Sequence, residues 1–189
     1  IDKMAVSNTE ATVESTVDRV NSDLLDIRQI FDAANYNIVQ EFDISSEKFA
    51  EQFSLLYEVN SDKIESLALY GNEGRLIASE PVAVEKENID VKGQDWYKNA
   101  ESAIENVHFS IPHIQNLYED GLYRYHWVVS LSRYVDINDG EIPGSGVLLV
   151  DMKYSVIEDV LKQINDSSEG IYYYCLLYTS DAADDTPCV

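Results

Sequence analysis

The chain reads as an α+β domain, a long N-terminal helix packed on an antiparallel sheet of about five strands. Three observations predict this. The first thirty-odd residues carry apolar side chains at helical spacing with no Gly or Pro among them. After Ile64 the pattern changes to short β-type runs punctuated by Gly, Asn and Pro. There is no alternation of strand and helix and no glycine-rich phosphate loop, so a parallel doubly wound sheet is excluded.

Residues 2–35 form the first element. From Val13 the apolar positions run Val17, Val20, Leu24, Ile27 and Phe31, the seam of a helix that packs along one stripe. At about 1.5 Å per residue it would reach roughly 50 Å, more than a compact domain needs. It is therefore expected to project from the domain or to form a spine against a partner helix. Residues 46–57 are a second helix, capped by Ser45 or Ser46, with Phe49, Phe53 and Leu56 on one face. Ile64–Tyr70 and Leu76–Ser79 are paired strands joined by the turn Gly71-Asn72-Glu73-Gly74.

A helix follows over 94–106, then a short strand Val107–Ile111 ending at Pro112. Leu122–Val135 is a long strand, Asn138-Asp139-Gly140 a turn, and Gly146–Met152 a Val- and Leu-rich strand expected to be central and buried on both faces. Tyr154–Ile164 is a closing helix, and Gly170–Tyr174 opens a further strand.

Charge narrows the function. The 189 residues hold 35 Asp and Glu against 13 Lys and Arg, for a formal charge of −22. A surface that acidic repels nucleic-acid phosphates and anionic lipid headgroups. Nucleic-acid binding and peripheral membrane binding are disfavoured, while a small ligand in a buried pocket is not. The acid is spread along the chain, which points to a solvated surface rather than a disordered tail. The three histidines, His108, His113 and His126, stand in no metal-ligand pattern, and no nucleophile elbow is present. The chain is not expected to be an enzyme, to hold a metal or to need a cofactor.

The order of these elements resembles a known family. A long helix leads to the hairpin Leu69-Tyr70-Gly71-Asn72-Glu73-Gly74-Arg75-Leu76-Ile77, a helix opening Asp95-Trp96-Tyr97, and a strand ending Ser110-Ile111-Pro112-His113. The long strand and Gly146-Val147-Leu148-Leu149-Val150-Asp151 complete it. This is similar to the membrane-distal module of double Cache domains, the tandem PAS-like extracytoplasmic sensors of bacterial receptors. His108–Leu117 and Tyr123–Arg133 look most like sensor histidine kinases of the YesM type.

The resemblance implies a homodimer through the N-terminal helix, transmembrane helices on either side and a small-molecule ligand outside the cell. Chemoreceptors and diguanylate cyclases carry the same sensor, and a secreted acidic binding protein is a further alternative. The implied divisions are a signalling helix over 1–40, the distal module over 41–165 and the start of a proximal module over 166–174. Residues 175–189, opening Cys175-Leu176-Leu177-Tyr178, resemble a translated sequencing adapter and are set apart from the fold.

The same resemblance supplies candidate ligand contacts. Trp96 and Tyr97 match the pair with which amino-acid-binding Cache domains begin their pocket, though both could simply pack the core. Asp151 stands where that family receives a ligand ammonium, or it caps the following helix. Gln94 departs from the pattern, which has an arginine there to clamp a carboxylate. Ile89 and His113 stand roughly where tyrosines are expected. A free amino acid is therefore not the expected ligand. From the alternation alone, Arg124, His126, Ser130 and Ser132 share one face of the long strand. That face either looks into the pocket or is solvated. Tyr125, Trp127, Val129 and Leu131 form the expected core face.

Overall fold

The computed structural model describes residues 3–104, 106–120, 125–140 and 142–158. The chain divides into two compact units, one of Ile1–Asp26 with Ser155–Val189 and one of Ile27–Tyr154. Helix α1 spans Lys3–Ala34, as its unbroken apolar spacing predicts, and passes directly into a π-helical turn over Asn35–Val39. Within the first unit Val20 and Ile157 are buried, and residues 155–158 are helical. The side chains of Val6 and Val13, the remainder of the expected closing helix, the strand at Gly170–Tyr174 and the segment 175–189 lie outside the described residues.

The second unit is an antiparallel sheet with helices on both faces. Its strands are β1 (Ile64–Gly71), β2 (Leu76–Glu80), β3 (His108–Phe109), β4 (His113–Ile114), β5 (Trp127–Asp139) and β6 (Ile142–Lys153). They run in the order β2-β1-β6-β5-β3, with β4 also on β5. The sheet is larger than the expected five strands because His113–Ile114 adds a short pair. β6 is central, as its composition predicts, and Val147 to Val150 are buried without alternation. The hairpin turn over Gly71–Gly74 places Gly74 at φ +76°, and Gly140 in the β5–β6 turn sits at φ +64°. Both are left-handed positions that suit glycine.

One face of the sheet meets the end of α1 and helix α2 (Glu47–Val59). Ile27, Ile30, Phe31 and Ala34, then Ile38 and Val39, are buried at the three- and four-residue spacing of a packed stripe. Ser46 caps α2, its Oγ accepting from Phe49 N at 3.1 Å. The opposite face meets α3 (Asp95–Ser102), through Trp96, Tyr97 and Ala100 against Ala68, Tyr70, Val147 and Leu149.

Three expectations need correction. The helix at 94–106 stops at Ser102, and the strand at Val107–Ile111 shortens to two residues. The long strand starts at Trp127, not Leu122, and continues to Asp139. Its faces also differ from the alternation reading. Tyr125 is 79% and Trp127 51% exposed, while Ser130 and Ser132 on the other face are buried. The strand lies between β6 and the short strands, with helices on both sides, so its middle has no solvated face.

Candidate ligand-binding site

The centre of the sheet holds a buried carboxylate. Asp151 of β6 pairs in register with Ser66 of β1 on one side and Ser130 of β5 on the other. Directly opposed residues project to the same face. Both hydroxyls therefore reach the carboxylate. Ser66 Oγ donates to Oδ2 at 3.0 Å and Ser130 Oγ donates to Oδ1 at 2.5 Å. Asp151 is 1% exposed. Burial pushes its carboxyl above the usual carboxylate range, against the opposing pull of Ser130, Ser66, His113 and Gln115.

An open cleft of about 820 Å³ lies over this row, and Ser66, Gln115 and Tyr118 line it. Two of the three also reach the buried layer. Ser66 bonds to Asp151, and Tyr118 shares a 3.0 Å hydroxyl–hydroxyl bond with Tyr70. Burial pushes both phenols well above their ordinary range, Tyr70 most. One wall is a strap of backbone. Lys86 N donates to Leu117 O at 3.0 Å and Glu119 N to Val84 O at 2.8 Å. The mouth is apolar at Val82, Val84 and Ile114, all exposed. It is polar at His126, whose Nδ1 lies 2.6 Å from Glu65 Oε1 and whose Nε2 lies 2.8 Å from Asp120 Oδ2.

The structure distributes the sequence-expected residues around this cleft. Asp151 stands inside β6, bonded to neighbouring strands rather than to a helix end, one hydroxyl below the cleft floor. His126 is on the rim. His113 reaches the row through Ser130 Oγ, 3.3 Å from its Nε2. Trp96 packs on Tyr70 at 5.3 Å between ring centroids, and neither ring lines the cleft. Tyr97 turns its hydroxyl the other way, donating to Gly71 O at 2.9 Å and lying 3.1 Å from Asn72 O, so it pins the β1–β2 turn. Burial raises that phenol to about 12. Arg124 lies outside the described residues. Among the described residues no group of His, Cys, Asp and Glu is arranged to hold a metal ion, and no helix is long and apolar enough to cross a membrane.

Sequence reasoning missed Ser66, Gln115 and Tyr118. Ser66 had a weak signal, a small hydroxyl side chain just before the apolar run Leu67–Leu69. The other two sit on irregular backbone, where no periodicity marks a facing direction.

No protein-family model matches the chain, and no curated protein matches it in sequence. Solved structures do match in shape. The ligand-binding domain of the Pseudomonas fluorescens chemoreceptor CtaA, in complex with L-valine, aligns with a TM-score of 0.60 at 16% identity, over 82% of this chain and 64% of that one. The ligand-binding domain of the Pseudomonas aeruginosa amino acid chemoreceptor PctC, in complex with GABA, gives 0.60 at 19% identity over 82% and 64%. The sensory domain of the Campylobacter jejuni chemoreceptor Tlp3 gives 0.58 at 14% identity over 84% and 64%. The fold is the Cache fold. The chain spans less than two thirds of the length of these domains.

Of the three departures of this Cache sheet from the amino-acid-binding pattern, His113 reaches the Asp151 row through Ser130, and the other two stand apart from the cleft. Gln94 precedes α3 and donates its Nε2 to Asp90 O at 3.2 Å. Ile89 packs against the aromatic cluster of Trp96 and Tyr70.

Proposed function

We propose that this chain is the extracytoplasmic small-molecule-sensing region of a bacterial transmembrane receptor and is not itself an enzyme. Its ligand sits in the cleft over Asp151, with an ammonium group answering that carboxylate. One observation carries the reading. A buried acid at the centre of a sheet, held by two hydroxyls beneath an open cleft, is a costly arrangement that a cationic ligand relieves. The neighbours solved with L-valine and with GABA support it, since both compounds carry an amine.

The output is proposed to be a sensor histidine kinase, on the resemblance of His108–Leu117 and Tyr123–Arg133 to that class. A chemoreceptor is the second reading, favoured by the chemoreceptor domains that share the fold. The intact gene separates them, through a phosphoacceptor histidine with an ATP-binding lid or a long methylated coiled coil. In either case α1 is the element suited to pass a packing change toward the membrane, because an unbroken helix moves as a rigid body.

A thermal-shift screen of the chain against amines, amino acids, sugars and organic acids tests the site. An amine should raise the melting temperature, and Asp151→Asn should abolish the rise. A rise that survives in Asp151→Asn, or no rise with any amine, overturns the assignment.

A further inference from the structure

We propose that His113 is a positioning residue for the buried acid: Asp151, Ser130 and His113 share one proton, so that the carboxyl and the imidazole are ionised together or neutral together. Its bearing on the ligand rests on the ammonium reading of Asp151. The distances define a chain across the sheet. Ser130 Oγ donates to Asp151 Oδ1 at 2.5 Å and lies 3.3 Å from His113 Nε2. His113 of β4 pairs with Val128 of β5, which shares a face with Ser130, so the imidazole reaches the serine along the diagonal.

The far side of the ring assigns its tautomer. Nδ1 lies 3.0 Å from Ile111 O and 3.2 Å from Ser110 Oγ. The carbonyl can only accept, and the hydroxyl gives its one proton to that same carbonyl at 2.9 Å. Nδ1 therefore carries a hydrogen. Ser130 also has one hydroxyl proton. While Asp151 is ionised it takes that proton, and Nε2 meets an oxygen with none left to give. The contact is then a hydrogen bond only if Nε2 is protonated too. When Asp151 is neutral, its hydroxyl donates to Ser130 Oγ, and the serine turns its own proton to a bare Nε2. Passing from the neutral to the charged form breaks Oδ1–H and one Oγ–H and makes a new Oγ–H and Nε2–H, with no proton gained or lost. Burial raises the Asp151 carboxyl, and of the side chains that oppose it Ser130, Ser66 and Gln115 are neutral while His113 acts by charge. The charge of Asp151 also reaches the phenols of Tyr70 and Tyr118, which burial holds in the protonated form. An acid with an imidazolium one hydroxyl away can stay ionised inside the sheet, ready for a ligand ammonium, where alone it would neutralise itself.

NMR of the ligand-free chain against pH tests this, through the carboxyl-carbon resonance of Asp151 (assigned with Asp151→Asn) and the ring-nitrogen resonances of His113. In the unaltered chain each group should report both proton steps, the mark of a shared proton. In His113→Gln the carboxyl should titrate in a single step, moved to higher pH. In a Ser130→Ala background, adding His113→Gln should produce no further move. A carboxyl that titrates at the same pH with and without His113 overturns the proposal. So does a move of equal size with and without Ser130, because the charge would then act across space and not through the serine. Butylamine, titrated separately into the unaltered chain, tests the ammonium reading. Resonances as expected with no butylamine binding would leave the shared proton standing and remove that reading. Butylamine binding without the coupled resonances would do the reverse.

Discussion

Ser130 on β5 and Asp151 on β6 face each other across the sheet, and the serine hydroxyl donates to the aspartate Oδ1 at 2.5 Å. The pair joins two strands and fixes the orientation of the one acid that, among the described residues, is buried in the sheet's core.

Removing the charge of Asp151 should not cost stability at neutral pH. Burial lifts its carboxyl above the ordinary aspartate value of 3.8, so the folded chain holds that proton more tightly than the unfolded one. The stability Asp151 contributes is fully present below that value and is lost as pH rises through the folded pKa. Asp151→Asn abolishes this dependence and keeps the shape. Its melting temperature should equal or exceed that of the unaltered chain at pH 7, and the difference should close toward about pH 4. Thermal melts across that range measure it. A variant less stable at every pH would show the acid to be structural.

Ser130→Ala leaves Asp151 Oδ1 without its closest donor and His113 Nε2 without its contact. A hydrogen bond to a charged group is worth about 1.5–3 kcal/mol, and the loss should fall in that range in urea unfolding at pH 7. The penalty should shrink as pH falls, because a protonated acid needs fewer donors. A pH-independent loss would point to packing alone.

Tyr97→Phe separates core from ligand. The hydroxyl it removes bonds only to the β1–β2 turn among the described residues. The expected cost is about 0.5–1.5 kcal/mol of stability with amine affinity unchanged. A fall in affinity without a fall in stability would place Tyr97 back in the pocket.

Gly146→Ala should be among the most damaging single changes in the sheet. A Cβ there would clash with the backbone carbonyl of Tyr70, which belongs to the paired strand β1 and cannot swing aside. Destabilisation of up to about 3 kcal/mol, read by chemical denaturation, is expected from such overpacking. A near-neutral result would mean that β1 and β6 can separate there.

The elements with strong periodicity were legible in the sequence. The helix through Ala34, the capped helix after Ser46, the Gly71–Gly74 turn and the central β6 all follow from local pattern. Asp151 could be found because a carboxylate at the end of an apolar run is out of place. Its partners could not, because Ser66 lies 85 residues and Ser130 21 residues away, and only strand order brings them together. Trp96 and Tyr97 show the opposite difficulty. The pair is conspicuous in the sequence, yet one side chain packs a core and the other fastens a turn. The segments at 81–87 and 115–120 carry no repeat, so the strap that holds Glu85 against Tyr118 had no local signal.

The tight turn at Gly140 has an effect at the far end of the strands it joins. Side chains in a sheet alternate, so sliding β6 by a single residue against its neighbours would exchange its two faces. Asp151 would leave the two serines and enter the layer of Leu67 and Leu131, and Val150 would take its place under the cleft. Lengthening that loop by one residue should therefore withdraw the carboxylate from beneath the cleft without altering any side chain there. The layer in which the acid stands is written in the alignment of the strands as much as in the identity of the side chains.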